Sequence, residues 1–386
     1  MRKYIFPLVV SFCAASFDAA IAQNSEDTKK QSPFTFEASY IGDGVSNFAG
    51  GIEKGRTYMG MANIRLSFST KDAGLWSGGT LFFNGANTHG GTPSADYIGD
   101  FQVASNIEAG EITYLHELWY SHSFSNISIT VGVQDLNAEF VASEYAGLFL
   151  NSSFGVHSTV ATNIPAPIFP LTALGGMVKY GISESIIGKV AVFDGFPDDF
   201  DHNPHNLSWK IKAEDGLLFI SEHEFANVFS NKLPGAYKIG AYYHNHGIID
   251  ATNESISPTK HSNYGFYFIA DQTILKRSET EVLSLFTQAS ISPESKNLNW
   301  YYLGCGLNYS GMFKGRASDV LGLAVAHAGI KNSPIGDETT IELSYRAQLT
   351  ENIFIQPDFQ YVINPAGTDK KLDNAAVGIL RFGLSF

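Results

Sequence analysis

Charged, amide and aromatic side chains recur at alternate positions along several stretches of this sequence. Arginine, lysine and carboxylate groups on one face of a strand can hydrogen-bond a polar solute and screen ions, and an aromatic ring can stack on an apolar part of that solute. The alternative for each residue is that it only solvates a wet face or pairs with a neighbour, as Asp358 and Arg381 would on adjacent strands. The candidates are Arg65, Glu117, Trp119, Lys238, Glu342, Arg346, Gln356, Asp358, Gln360 and Arg381.

Motifs for catalysis or for cofactor binding do not occur in the sequence. There is no glycine-rich loop followed by Lys and Ser or Thr, and no Gly-x-Ser-x-Gly turn. His202 with His205 and His244 with His246 lack an evident third ligand, so we predict no metal site. The net charge of −13 argues against a nucleic-acid partner, because it leaves no basic stripe for phosphates. We therefore expect no catalytic residue and no cofactor.

The candidates need elements that present alternate side chains to opposite faces, and segments of period two supply them. In the last segment, Leu380, Phe382 and Leu384 fall on one face and Arg381 on the other, which predicts a strand with an apolar and a polar surface. About sixteen such segments occur. They are, approximately, 34–40, 58–69, 79–87, 111–121, 126–134, 174–182, 186–193, 216–224, 235–244, 262–271, 281–290, 299–309, 318–328, 339–349, 352–361 and 375–386.

The connections between these segments alternate in length. Those after odd-numbered strands are mostly long and those after even-numbered strands mostly short, whereas a soluble β-sandwich has no reason to sort its loops in this way. We therefore predict an all-β chain that forms a closed antiparallel transmembrane β-barrel of about 16 strands, with short periplasmic turns and long extracellular loops. The long connections are expected at 41–57, 88–110, 135–173, 194–215, 245–261 and 362–374.

The N-terminus has the features of an export signal. Arg2 and Lys3 precede an apolar stretch at 5–17, and the small residues Ala20 and Ala22 suit a cleavage site. No later stretch holds about 18 continuous apolar residues, so a membrane-spanning form of the chain must be a barrel. We predict a cleaved signal peptide at 1–22, a short periplasmic segment at 23–33 and the barrel at 34–386.

The connection 135–173 is far longer than an ordinary hairpin loop. A barrel of this size encloses an aqueous lumen, which needs a narrow point before it can select a solute. Phe140, Phe149 and Phe154 would allow this connection to pack against the inner wall. We predict that it folds into the bore as a constriction loop; the alternative is a cap over the mouth.

Several runs in the sequence resemble the carbohydrate-selective porin family typified by OprB. The matching runs occur in the family's order over nearly the whole mature chain. They lie at 114–119, 131–135, 139–140, 148–155, 240–243, 271–272, 316–319, 356–361 and 364–365. The resemblance implies an outer-membrane barrel of a Gram-negative bacterium through which sugars diffuse passively into the periplasm.

The resemblance also bears on individual residues. Glu117 and Trp119 lie in one of the matching runs and, with Arg65, are the candidates for the sugar path. Arg346 departs from the family pattern, since an acidic residue usually follows the aromatic residue that stands here as Tyr345. The charge of this part of the lumen is therefore expected to differ.

The expected partners are small sugars, outer-membrane lipid and the barrel-assembly machinery, which reads a terminal strand ending in an aromatic residue such as Phe386. Many porins of this size form homotrimers, and the sequence leaves that assembly open. Other functions also remain open. They are a general small-solute diffusion porin, a surface adhesin or structural barrel with a blocked bore, and an outer-membrane hydrolase.

Overall fold

The computed structural model of the chain describes residues 32–227, 233–246, 261–331 and 335–386. The predicted signal peptide 1–22, and all of 23–33 except its last two residues, lie outside this part. The strands are β1 (Phe34–Gly51), β2 (Gly55–Ser69), β3 (Gly79–Gly90), β4 (Ile112–Phe124), β5 (Ile127–Gln134), β6 (Ala173–Ser183), β7 (Ile186–Asp194), β8 (Leu217–Ala226), β9 (Gly235–His244), β10 (Asn263–Lys276), β11 (Val282–Ile291), β12 (Asn299–Ser310), β13 (Val320–Ile330), β14 (Glu338–Thr350), β15 (Ile353–Ile363) and β16 (Asp373–Ser385).

These strands form one closed antiparallel barrel, which confirms the predicted fold. Each strand pairs with its neighbours in sequence, and β1 closes the sheet by pairing with β16 from Ser39 opposite Ser385 to Gly51 opposite Asp373. Closure leaves no strand with an unpaired edge, as a sheet in lipid requires. None of the helices in the described ranges is long and apolar enough to cross a membrane.

The wall has two chemically different faces because side chains alternate along each strand. In β14, Ile341 and Leu343 are exposed on the outer face, whereas Glu342 and Ser344 are buried on the inner face. The same alternation recurs in the other strands, so the outer surface is apolar, whereas the inner wall combines polar and charged side chains with buried apolar ones such as Phe286 and Val377.

The two rims of the barrel carry connections of different length. At the terminal rim, where β1 begins and β16 ends, the connections are short: 70–78, 125–126, 184–185, 227–234, 277–281, 311–319 and 351–352. The opposite rim carries the long connections 91–111, 135–172, 195–216 and 245–262, together with shorter ones. Which rim faces the cell exterior stays a prediction.

The first connection is a correction to the sequence analysis. Residues 41–57 were expected to form a long loop, but β1 continues to Gly51 and only 52–54 separate it from β2. The glycine, serine and asparagine content of this stretch is typical of a loop, yet its backbone pairs with β16 on one side and β2 on the other. Register shifts around Ala49 bend the strand near its end.

Two of the long connections enter the bore. The 91–111 segment begins with a helical turn at Ser94–Ile98. The 135–172 segment holds the short helices α1 (Ser152–Gly155) and α2 (Ser158–Asn163), with 3₁₀ turns at Leu136–Ala138 and Ala146–Leu148. The two segments also contact each other, because the Asn106 N–H donates to the Leu150 carbonyl at 2.8 Å and the Ser152 N–H to the Val103 carbonyl at 2.9 Å. A further 3₁₀ turn, Pro204–Asn206, lies in the 195–216 connection.

Candidate functional site

Carboxylates of the inner wall hold the two inward segments by accepting hydrogen bonds from their backbone N–H groups. Three of them bind the 135–172 segment: Glu222 accepts from Val141 at 3.1 Å, Asp271 from Glu144 and Tyr145 at 3.0 and 3.4 Å, and Glu342 from Leu150 and Asn151 at 2.5 and 3.1 Å. Glu338 binds the 91–111 segment, accepting from Phe101 and Gln102 at 2.7 and 2.9 Å. We call these four residues the anchor carboxylates. Each satisfies donors that would otherwise be buried without a partner.

Amide and ammonium groups of the wall complete the attachment by donating to carbonyl groups of the segments. Lys238 Nζ donates to the Ala142 carbonyl and Gln356 Nε2 to the Leu148 carbonyl, both at 2.7 Å. Gln360 Nε2 reaches the Ala104 carbonyl of the 91–111 segment at 2.8 Å. Lys238, Gln356, Gln360 and the anchor residue Glu342, which the sequence suggested as solute contacts, therefore hold the segments in place.

The three phenylalanines of the predicted constriction loop are buried between the segment and the inner wall. Phe140 belongs to an apolar cluster with Phe193 and Tyr267, which the strands contribute. Phe149 and Phe154 pack on each other with ring centroids 5.1 Å apart and on the wall residue Phe286. Burial of such rings stabilises the inward position of the segment by about 2 kcal/mol each.

Arg65, Glu117 and Trp119 lie together on the inner wall. Arg65 of β2 is opposite Asn84 of β3, which is in turn opposite Glu117 of β4. Trp119 Nε1 donates to Glu117 Oε1 at 3.2 Å, and the Trp119 ring stacks on Phe82 at 4.8 Å. A guanidinium, a carboxylate and a half-buried indole thus share one patch, which we call the Trp119 patch.

Arg381 has a different partner from the one suggested by the sequence. Its Nε and Nη2 atoms donate to the two carboxylate oxygens of Asp43 at 2.8 Å, and Nη2 also reaches Asn106 Oδ1 at 2.8 Å. Asp358 instead accepts from Gln360 Nε2 at 3.2 Å. The suggested pair between Asp358 and Arg381 is therefore wrong. Asp43 was missed because it lies in the stretch that was read as a loop.

The inward position of the 91–111 segment was also missed, since its acidic and polar composition is that of a surface loop. Two of its carboxyl groups, those of Asp100 and Glu108, have raised pKa values. Burial, followed by the nearby negative charge of Asp100, raises the pKa of Glu108 to about 7. Burial likewise raises the pKa of Asp100 to about 6. Glu108 accepts the Ser94 N–H at 3.2 Å, and the anchor carboxylate Glu338 lies against the same segment.

No group of three or more His, Cys, Asp or Glu side chains in the described part of the chain could hold a metal ion. The two histidine pairs noted in the sequence are engaged with protein groups. His244 Nε2 contacts the Gly195 carbonyl at 2.6 Å, and His202 contacts Asp199 at 2.7 Å. The arrangement is one of hydrogen-bonding and stacking groups along a channel wall.

Comparisons with known proteins agree with this architecture. A family model described as carbohydrate-selective porin, OprB family, matches residues 53–386. Porin B of Pseudomonas aeruginosa is 21% identical over 92% of this chain and 87% of its own length, and the putative porin QuiX of Acinetobacter baylyi is 22% identical over 92% and 89%. The high-pH structure of Pseudomonas putida OprB has a TM-score of 0.81 at 21% identity, covering 92% of this chain and 94% of that chain.

The raised pKa values predict that the 91–111 segment loosens as pH rises. A buried carboxyl group with a raised pKa keeps its proton in the folded state, so its stabilising contribution is complete below the ordinary pKa of 4.5 and is lost as pH passes about 7. We expect hydrogen exchange of 91–111, corrected for intrinsic rates, to be faster at pH 8 than at pH 5. Glu108→Gln should reduce this difference and the exposed control Glu111→Gln should keep it. If exchange depends on pH as strongly in Glu108→Gln as in the wild type, ionisation of Glu108 does not loosen the segment.

Proposed function

The chain belongs to the carbohydrate-selective porin, OprB family, as the sequence resemblance indicated, and on that premise we propose a path for the sugars. It is an outer-membrane carbohydrate porin. We propose that sugars cross the bore beside the two inward segments and pass the Trp119 patch of Arg65, Glu117 and Trp119. The observation that supports this path is the grouping of a donor on β2 with an acceptor and an aromatic face on β4, on either side of β3.

The patch suits the chemistry of a sugar. A neutral sugar offers hydroxyl groups, which need donors and acceptors to replace their water, and apolar C–H faces, which stack on an aromatic ring. Arg65 supplies N–H donors, Glu117 supplies carboxylate oxygens and Trp119 supplies the ring. Each of these contacts is weak alone, and a diffusion channel requires weak contacts because the solute must leave again.

The 135–172 segment is proposed to narrow this path. Its support is the series of contacts that hold it in the bore: the anchor carboxylates Glu222, Asp271 and Glu342, and the burial of Phe140, Phe149 and Phe154. The 91–111 segment would narrow the bore from the β14 side, where Glu338 binds it. Both segments belong to the opposite rim, which we propose to be the extracellular one.

Export and assembly are further parts of the proposal. We propose that a signal peptide at 1–22 directs the chain across the inner membrane of a Gram-negative bacterium. The barrel-assembly machinery would then recognise β16 and Phe386, whose N–H donates to the Ala38 carbonyl at 2.9 Å. Exposed outer-face residues such as Phe266 and Leu380 would contact lipid or, in a homotrimer, a second copy of the chain. OmpT of Vibrio cholerae, which shares the fold at a TM-score of 0.55, has a structure described as a trimer form.

The sugar path is tested by single-channel recording from the reconstituted mature barrel. We expect glucose and maltose to block the ion current and urea, a neutral non-sugar, to leave it unchanged. Arg65→Gln, Glu117→Gln and Trp119→Leu should each raise the half-blocking glucose concentration by about threefold to tenfold, the effect of losing one hydrogen bond or stacking contact.

Glu184→Gln is the matched control, because it removes the same charge as Glu117→Gln from an exposed turn of the terminal rim. Unchanged half-blocking concentrations in all three patch variants would contradict the path. Channels indifferent to sugars would indicate a general diffusion porin. Properly folded barrels that form no channel would point to the adhesin or hydrolase instead.

The proposed role of the 135–172 segment is tested by shortening it. Replacing 141–156 with a short glycine–serine link removes the helix α1 and all five hydrogen bonds to the anchor carboxylates Glu222, Asp271 and Glu342. We therefore expect a higher single-channel conductance and faster entry of maltose into liposomes. Removing the exposed residues 369–371 from another connection of the same rim is the control and should change neither quantity. Normal conductance in the first variant, with heat-modifiable folding on gels retained, would exclude the segment as the narrow point.

A further inference from the structure

Arg346 differs from the other cations that point into the bore. Five of these inward cations have a carboxylate oxygen within 4.0 Å: Arg65, Lys179, Lys189, Lys238 and Arg381. In the described ranges Arg346 has neither an ion pair nor a hydrogen bond, and its buried Nε lacks a partner. An arginine that served only to hold the wall together would be expected to have such a partner, because an uncompensated charge away from water is costly.

The side chain is nevertheless held in a defined place. Its guanidinium carbon lies 3.8 Å from the centre of the Phe354 ring, which covers one face of the cation. Phe354 is itself fixed flat on the wall over Gly383, since a Cβ added to that glycine would lie 2.0 Å from the ring. The half-buried guanidinium therefore keeps one face and its Nη edge for a group in the bore.

The surroundings leave this positive charge without compensation. The neighbouring cation Arg381 is already bound by both oxygens of Asp43. Asp319 adjoins Val320, which is opposite Arg346, but it is bound by Arg316 and Tyr345. Asp358, opposite Ser344, accepts from Gln360 and forms no ion pair with Arg346. Arg346 also lies close to the end of β14 at Thr350. It is therefore nearer to the terminal rim than Glu342, the residue that holds the 135–172 segment.

We propose that Arg346 and Phe354 form a second solute site, separate from the Trp119 patch, which binds the carboxylate of sugar acids and similar small hydroxy acids. This inference rests on the proposed passage of sugars through the same bore. The planar guanidinium matches a carboxylate with two parallel hydrogen bonds, and stacking on Phe354 fixes the orientation of that fork in advance. A sugar acid that passes the inward segments would meet this site before it leaves at the terminal rim.

The test compares glucose with glucuronate, which have the same ring and differ by one carboxylate. Liposome swelling rates are measured for the wild-type barrel, Arg346→Gln, Arg346→Lys and the control Lys179→Gln. Lys179→Gln removes the same charge from a paired cation and leaves Glu139 beside Lys189. We expect Arg346→Gln to lower the ratio of glucuronate to glucose entry by about threefold, which corresponds to about 0.7 kcal/mol, with glucose entry unchanged.

Arg346→Lys keeps the charge without the planar fork and should lie between the wild type and Arg346→Gln. The reversal potential in a KCl gradient should shift towards cation selectivity in Arg346→Gln, which gives a second readout from folded channels. An unchanged ratio in Arg346→Gln, or an equal fall in Lys179→Gln, would overturn the site. A wild-type channel that admits glucose and excludes glucuronate would also overturn it while leaving the sugar path intact; exclusion of both would overturn the sugar path.

Discussion

Backbone N–H groups that enter the bore of a barrel leave bulk water, and each of them needs an acceptor. The strands provide few backbone acceptors, because most of their carbonyl groups are used in the closed sheet. The wall provides side-chain carboxylates instead, and Glu222, Asp271, Glu338 and Glu342 accept seven N–H groups of the two inward segments between them. The position of the segments, and with it the shape of the channel, depends on these contacts.

This arrangement also explains how an acidic chain can line a channel for uncharged solutes. A net charge of −13 would suggest an open, strongly negative bore. Much of the negative charge on the inner wall is instead neutralised by lysine or arginine, as in Glu222 with Lys189 and Asp43 with Arg381, or is directed at backbone donors. We propose that selectivity depends on a few local groups, the Trp119 patch for neutral sugars and Arg346 for a carboxylate.

The barrel could be predicted from the sequence because its signal is local. Alternation of two residues sets the face of every side chain, so segments such as 235–244 and 299–309 were located almost to the residue. β1 was placed too short because its second half contains Gly44, Ser46 and Gly50, whose types favour a loop. Pairing on both sides outweighs that local preference, and pairing cannot be read from one segment alone.

The site was harder to predict because it depends on contacts distant in sequence. The alternation of side chains along a strand predicts that Glu342 and Lys238 point into the bore. Their hydrogen bonds to the 135–172 segment depend on where that segment lies, which alternation does not predict. The partner of Arg381 is 338 positions away in the chain, across the closure of the barrel. The apolar residues of the 91–111 segment, such as Ile98 and Ile107, are interspersed with carboxylates and glycines, so they did not mark it as an interior segment. Its fixation by Glu338 required the structure.

The most direct test of the anchoring mechanism is the conductance of a barrel that lacks two anchor carboxylates. Asp271→Ala with Glu342→Ala leaves the N–H groups of Glu144, Tyr145, Leu150 and Asn151 without acceptors, at a cost of about 1–3 kcal/mol for each buried group. We expect folded channels with a higher conductance and faster hydrogen exchange at 144–151 than the control Glu184→Ala, which removes a carboxylate from an exposed turn of the terminal rim. Wild-type conductance together with unchanged exchange in the double variant would show that the segments are held in the bore by other forces.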